Sequence, residues 1–191
     1  MARYLVRLAN SKRYGPRDAV GLSIRIRDLL GSKDTIGNLR VSRRAVEFDL
    51  FANDPVELEA RKLILESKVA RILTLKSLDQ APANRDKLEV LREGIGLFNE
   101  ERFWECHEVL EQIWHPAKGA DREIIQGLIL TAAALVHAQK DETDVCLSML
   151  RKARGKLGSN AAYEGVGLQQ VRISIDRILA SKHPVPFRVD I

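Results

Sequence analysis

In the first 79 residues, short segments with the two-residue period of strands alternate with segments that have the period of helices. In AVEFDLFA, the apolar residues Val46, Phe48 and Leu50 alternate with Glu47, Asp49 and Phe51. This two-residue period is typical of a strand with one buried face. With NLRV before it, this segment predicts a hairpin. ARYLVRLA predicts an earlier strand, and a helix between the two is predicted to begin near Pro16 and end at Gly31.

A second helix is predicted after the hairpin. Asp54 suits an N-cap and Pro55 a first helical position, and apolar residues recur with helical spacing through VELEARKLILESKVARILTL. The order β-α-β-β-α predicts a small α+β module over residues 1–79, with helices on one face of an antiparallel sheet. A fourth strand is not evident. The segment SLDQAPANRD predicts a linker or helix break.

From Arg85 onward the apolar residues recur with the period of amphipathic helices. They predict five helices, at about residues 85–98, 102–114, 121–139, 143–157 and 167–180. The short breaks between them favour an all-α antiparallel bundle over residues 85–181. Two prolines in HPVPFRVDI predict an extended C-terminal tail at 182–191. The predicted fold is therefore an α+β module followed by a bundle, predominantly α.

Composition adds an expected location. The chain has 191 residues, of which 45% are hydrophobic and 30% charged, as is typical of a globular protein. It contains no run of about 18 apolar residues that would span a bilayer, and its start lacks the apolar core of a secretory signal. Cys106 and Cys146 form no CxxC pair, which disfavours a disulfide framework or thiolate zinc site. We expect a cytoplasmic protein without a membrane partner.

Positive charge is concentrated in the N-terminal module. The net charge is +5, and residues 1–79 hold 16 Lys and Arg against 10 Asp and Glu. This excess is compatible with nucleic acid or an acidic protein as partner, although it also favours solubility alone. No aromatic pairs of an RNA-recognition sheet are evident, so we expect phosphate contact without base readout. The candidate contacts are Lys12, Arg13, Arg17, Arg40, Arg43 and Arg44.

The segment FNEERFWECHEVLEQIW, residues 98–114, places polar residues among aromatic ones. At 100° per residue, His107 and Glu111 fall on the same side as Phe103 and Trp114. A carboxylate on this face needs a hydrogen-bonded partner or must open onto a cavity, and Gln126 on the next helix is a possible partner. These positions predict a buried polar cluster between helices. Its candidate members are Glu105, His107, Glu108, Glu111, Trp114, Gln126 and His137.

The same segments carry a resemblance to a known family. LFNEERFWECHEVLEQIW, followed by REIIQGLILTAAALVHAQ and CLSMLRKARGKL, resembles the uncharacterised helical family called domain of unknown function 309. The resemblance covers about residues 93–157. It implies a compact α-helical domain and no established activity. This chain has Lys140, Asp141 and Glu142 where typical members have Gly-Asn, which alters the turn after the buried helix.

Three interpretations apply to the polar cluster. A metal site would use His107, Glu111 and His137, but the sequence has HExxE where zinc proteases need HExxH. Acid/base catalysis would pair His107 with Glu111, but no nucleophile accompanies them. A structural cluster that fixes the helix register needs no further group.

The sequence favours the structural interpretation and predicts no cofactor. The predicted function is a binding or scaffold protein whose basic module contacts nucleic acid or an acidic protein. The alternative is a small metal-dependent or acid/base hydrolase centred on His107 and Glu111. An exposed apolar helix stripe would instead indicate a homo-oligomer.

Overall fold

The computed structural model describes residues 1–78 and 85–191. The chain divides into two compact units, which are Met1–Ala81 with Gln139–Asp141, and Pro82–Ala138 with Glu142–Ile191. We call them the N-terminal unit and the helical unit. Residues 79–84 of the predicted linker lie outside the described residues. Within the described residues, no helix combines the length and the apolar character needed to cross a bilayer.

The N-terminal unit is a four-stranded antiparallel sheet with two helices. Its elements are β1 (Ala2–Ala9), α1 (Ala19–Leu30), β2 (Ile36–Val41), β3 (Ala45–Ala52), α2 (Pro55–Lys68) and β4 (Ile72–Ser77). The strands lie in the order β2-β3-β1-β4. A β-α-β-β-α-β chain in this order is the ferredoxin-like arrangement. The predicted α+β module is therefore confirmed, with a fourth strand added.

Local signals set most of these boundaries. The Asp54 carboxylate accepts a hydrogen bond of 2.8 Å from the Glu57 backbone N–H, which caps α2. Gly31 has a φ of 80° at the end of α1, a left-handed conformation that glycine adopts without strain. The predicted length of α2 is wrong, because the helix ends at Lys68. Residues 72–77 form β4 instead, which pairs with β1.

One face of the sheet is apolar and packs against both helices. Val6, Val46 and Phe48 of the central strands form a buried core with Ile26 of α1 and Leu65 of α2. The alternation in β3 therefore separates an apolar face from a polar face, as the sequence predicts. The prediction of a single buried face is wrong, because Glu47 and Asp49 on the other face are also buried.

The second face of the sheet carries buried charges. Glu47 lies opposite Arg7 on β1 and Arg40 on β2, and its carboxylate accepts hydrogen bonds of 2.7 Å and 3.1 Å from them. Beside it, the Asp49 carboxylate accepts bonds of 2.8 Å from Arg3 and 2.6 Å from Asn38. The side chains of Arg40 and Glu47 are each 1% exposed. We call Arg3, Arg7, Arg40, Glu47 and Asp49 the charge ladder.

The helical unit contains the five predicted helices with small changes at their ends. They are α3 (Lys87–Asn99), α4 (Phe103–Trp114), α5 (Gly119–Ala138), α6 (Thr143–Lys156) and α7 (Leu168–Ser181). Ile125, Leu128 and Leu135 of α5 are buried in one apolar core. A Cβ added at Gly127 would lie 2.9 Å from the Leu157 side chain, so the absence of a side chain permits a close approach there.

The C-terminal segment after α7 contains no helix or strand and is bound to the helical unit. The Asn99 side chain donates to the Val189 carbonyl and accepts from the Val189 N–H, both at 2.8 Å. Val189 is 3% exposed, and the Phe187 ring centre lies 5.2 Å from that of Phe98. These contacts attach the extended segment to the start of the α3–α4 turn.

Candidate functional site

Three side chains of α4 form a cluster of potential ligand atoms. His107 Nδ1 lies 3.3 Å from Glu108 Oε1, and His107 Nε2 lies 3.5 Å from Glu111 Oε1. One ligand atom from each residue lies within 4.8 Å of the others. Positions i and i+4 share a helix face, and i+1 borders that face, so α4 alone assembles the group. We call His107, Glu108 and Glu111 the α4 cluster.

The α4 cluster is accessible to solvent, which corrects the predicted burial. The side chains of His107, Glu108 and Glu111 are 26%, 47% and 38% exposed. The buried face of α4 consists of Phe103, Cys106, Val109, Leu110 and Ile113. His107 lies roughly 95° around the helix from the centre of that face. Trp104 and Trp114 are only partly buried, so they mark the edge of the core.

Acidic neighbours alter the protonation of His107. A hydrogen bond to Glu108 raises the pKa of the imidazole above its ordinary value of 6.5, desolvation opposes this rise, and the Glu111 and Glu108 charges add to it. The charged imidazole is therefore favoured by its surroundings.

Glu105 belongs to a different interaction. It is 6% exposed, and its two carboxylate oxygens each accept a 2.8 Å hydrogen bond from Arg102. This bidentate geometry is the strongest form of an Arg–carboxylate pair. Glu105 is thus the buried carboxylate of α4, and the partner that sequence reasoning missed is Arg102, three residues before it.

Gln126 and His137 lie away from the α4 cluster. The structure pairs His137 Nδ1 with the Glu142 carboxylate, and Gln126 is half-buried. Across residues 1–78 and 85–191, no hydrogen bond joins either side chain to His107 or Glu111. The predicted cluster between helices is therefore wrong as one group. Its members separate into the α4 cluster, the Arg102–Glu105 pair and the His137–Glu142 pair, and Gln126 and Trp114 belong to none of these.

Trp114 takes part in a clamp at the end of α4. The Arg122 guanidinium lies 4.0 Å from the Trp114 ring centre and donates to the carbonyls of Trp114 and His115 at 3.1 Å and 3.2 Å. A cation near the last carbonyls of a helix is stabilising. Trp114 therefore has a structural contact with α5, while the side chains of the α4 cluster point to solvent.

A second candidate site lies at one end of the N-terminal sheet. The Asn10 amide donates to the carbonyls of Tyr14 and Ser42 at 2.8 Å and 2.9 Å, and its oxygen accepts from the Tyr14 N–H at 2.8 Å. The Asn10 N–H bonds the Arg44 carbonyl. Asn10 is 9% exposed, so a buried side chain joins the loop after β1 to the β2–β3 turn.

This connection brings together basic residues from separate segments. Lys12 and Arg13 lie on the loop, Arg43 and Arg44 on the turn, and all four are exposed. Arg71, which sequence reasoning missed, is exposed beside them, because its carbonyl accepts from the Ala9 N–H at 2.9 Å. We call Lys12, Arg13, Arg43, Arg44 and Arg71 the basic corner.

The remaining predicted contacts differ in accessibility. Arg17 is exposed on the short turn before α1, where the Asp18 carboxylate accepts from the Gly15 N–H at 2.8 Å. Arg40 is a correction, because it belongs to the charge ladder and is 1% exposed. Alternation explains the difference: Arg40 points to the ladder face of β2, and Arg43 and Arg44 follow the end of that strand.

Comparison with known proteins gives a family and a similar solved structure. A family model described as "Domain of unknown function (DUF309)" matches residues 91–149, which include the α4 cluster. A crystal structure of a conserved hypothetical protein from Thermus thermophilus is 36% identical, covering 47% of this chain and 94% of that chain, with a TM-score of 0.42. A search of curated proteins finds no match.

Proposed function

We propose that this chain, which belongs to the DUF309 family through residues 91–149, binds nucleic acid by contacting its phosphate backbone at the basic corner. The observation that carries this proposal is the set of hydrogen bonds made by Asn10. They hold the loop and the turn in one arrangement, so binding need not order the two segments that present the cations.

The chemistry of the basic corner suits phosphates. Four of its five members are arginines, whose planar guanidinium groups bind phosphate oxygens through paired hydrogen bonds. The five residues come from three separate segments of one sheet end. Phosphates repeat at short intervals along a nucleic acid, so several cations held near each other meet several phosphates at once. This regularity favours nucleic acid over an acidic protein as the partner.

The sheet face is a less suitable surface for bases. RNA-recognition modules built on a four-stranded sheet stack bases on aromatic residues of the sheet. In this chain the corresponding positions of β1 and β3 include Arg7, Glu47 and Asp49 of the charge ladder, which are buried and paired. We therefore expect backbone contact with little sequence preference.

The test compares two adjacent basic pairs of equal charge. Arg43→Ala with Arg44→Ala removes two cations from the basic corner, and Arg151→Ala with Lys152→Ala removes two exposed cations from α6. Fluorescence anisotropy with labelled single-stranded RNA and duplex DNA, at several salt concentrations, measures the affinity of each variant. The first variant should lower affinity and reduce the slope of log K against log salt by about 1.5 to 2.

The control variant should bind like the wild type. Equal losses in both variants would mean that net charge alone causes binding, and salt-independent binding would contradict phosphate contact. Absence of binding to either nucleic acid at low salt would refute the proposal, and an acidic polypeptide would then be the next ligand to test.

The alternative function, a small hydrolase centred on His107 and Glu111, has less support. The neighbouring thiol of Cys106 is 1% exposed, and burial raises its pKa, which keeps it in the unreactive thiol form. A nucleophile would have to come from bound water. We therefore rank nucleic-acid binding above hydrolysis.

A further inference from the structure

The ion pairs of the helical unit distinguish the α4 cluster from most other acidic groups. Many other carboxylates of this unit pair with Lys or Arg, as in Lys87–Asp121, Lys156–Glu123 and Arg154–Asp176. Among the ion pairs of the described chain, Glu108 and Glu111 are paired with His107 alone. One imidazole carries at most one positive charge, so the cluster keeps a net negative charge in either protonation state.

We propose that the α4 cluster binds one divalent transition-metal ion, with His107 supplying an imidazole nitrogen and Glu108 and Glu111 supplying carboxylate oxygens. The proposal is independent of nucleic-acid binding, since it concerns a different unit of the chain. A doubly charged cation would neutralise both carboxylates, which the imidazole cannot do.

The geometry requires only small side-chain movements. Ligands of a single tetrahedral ion lie roughly 3.5 Å apart, given metal–ligand distances of about 2.0 to 2.2 Å. The separations in the α4 cluster reach 4.8 Å, so the side chains must close by about 1 Å. Glu108 and Glu111 are 47% and 38% exposed, so both side chains have room to rotate. The backbone of α4 can remain unchanged.

The ligand set defines the class of metal. Imidazole nitrogen with two carboxylates suits Zn²⁺, Co²⁺, Fe²⁺ or Mn²⁺, whereas Mg²⁺ and Ca²⁺ prefer oxygen ligands alone. Three protein ligands leave at least one coordination position for water. The cluster is open to solvent, so an ion can enter and exchange without opening the core.

The experiment uses the whole untagged chain after treatment with chelator. Isothermal titration with ZnCl₂ at pH 7.5, followed by Co²⁺ absorption spectroscopy, compares the wild type with Glu111→Gln. The substituted amide keeps the size of the side chain but removes its charge and much of its ligand strength. We expect about one equivalent of Zn²⁺ in the wild type, and at least about tenfold weaker binding in the variant.

A matched control is available in the same unit. Glu142→Gln changes the other His–Glu pair, His137–Glu142, which lacks a third ligand in the described residues. Its Zn²⁺ affinity should equal that of the wild type. The proposal fails if the wild type binds no ion, if Glu111→Gln binds as tightly as the wild type, or if Glu142→Gln causes the larger loss. Circular dichroism of each variant separates ligand loss from unfolding.

Discussion

In the N-terminal unit, the carboxylates of Glu47 and Asp49 are at most 1% exposed and are held by arginines. Most ion pairs of the helical unit lie near the surface, as in Lys87–Asp121, with side chains 35% and 48% exposed. An exposed pair contributes about 0 to 1 kcal/mol. Removing one member of a buried pair leaves an uncompensated charge and costs about 3 to 5 kcal/mol. The two units should therefore respond very differently to the loss of one carboxylate.

The largest expected effect comes from Glu47→Ala. This change leaves the buried Arg7 and Arg40 without the carboxylate that accepts from both. We expect the free energy of unfolding to fall by about 3 to 5 kcal/mol, measured by urea unfolding followed by far-UV circular dichroism. Asp176→Ala, which removes an exposed partner of Arg154, should cost at most about 1 kcal/mol. Similar losses in the two variants would remove the distinction between the units.

An intermediate effect is expected from packing in the helical unit. In α3, a Cβ at Gly94 would lie 2.6 Å from Leu110 Cδ2, whereas a Cβ at Gly96 would meet nothing within 4 Å. Gly94→Ala should therefore destabilise the protein by about 1 to 3 kcal/mol through overpacking. Gly96→Ala should stabilise it by about 0.5 to 1 kcal/mol, because alanine favours the helix.

Thermal unfolding of the two glycine variants provides the measurement. Since both sites lie in one helix and differ by two positions, helix propensity is the same for each. If Gly94→Ala were also stabilising, Leu110 would have to move without cost, and tight packing would not limit this core.

The smallest expected effect concerns Asp121 and pH. The hydrogen bond from Lys87 lowers the pKa of Asp121 below its ordinary value of 3.8. A depressed folded pKa gives stability that is present above pH 3.8 and is lost as pH falls through the folded pKa. Because the pair is exposed, Asp121→Asn should cost less than about 1 kcal/mol at pH 7.

The melting temperatures of wild type and Asp121→Asn should therefore differ slightly at pH 7 and converge as the pH falls through the lowered folded pKa of Asp121. This comparison at two pH values uses each protein as its own reference. An equal difference in melting temperature at both pH values would mean that the amide alters packing. The ion pair would then contribute nothing to stability.

Local patterns predicted much of the fold. The alternation in β3, the Asp54 cap and the apolar character of α5 each depend on residues close in sequence, and the structure contains all three features. The end of α2 required distant information. Residues 72–77 form a strand because they pair with β1, and β propensity depends strongly on such partners.

The candidate sites show the same division between local and distant information. The i, i+4 spacing of His107 and Glu111 correctly brings their side chains together. Their exposure depends on which face of α4 packs against other helices. The sequence pattern predicts the tryptophans near the centre of that face, but they lie at its edge. Arg71 joins the basic corner only through the pairing of β4 with β1, so no local pattern identifies it.

The hydrogen bonds between Asn99 and Val189 also determine when the helical unit can finish folding during synthesis. The two residues are separated by 90 positions, which a ribosome adding about 5 to 20 residues per second needs roughly 5 to 20 s to synthesise. Throughout that interval Asn99 must bond to water, and the Phe98 ring lacks its contact with Phe187. A nascent chain can therefore form α3 and α4 early, but the apolar surface at their junction stays uncovered until the segment after α7 has emerged.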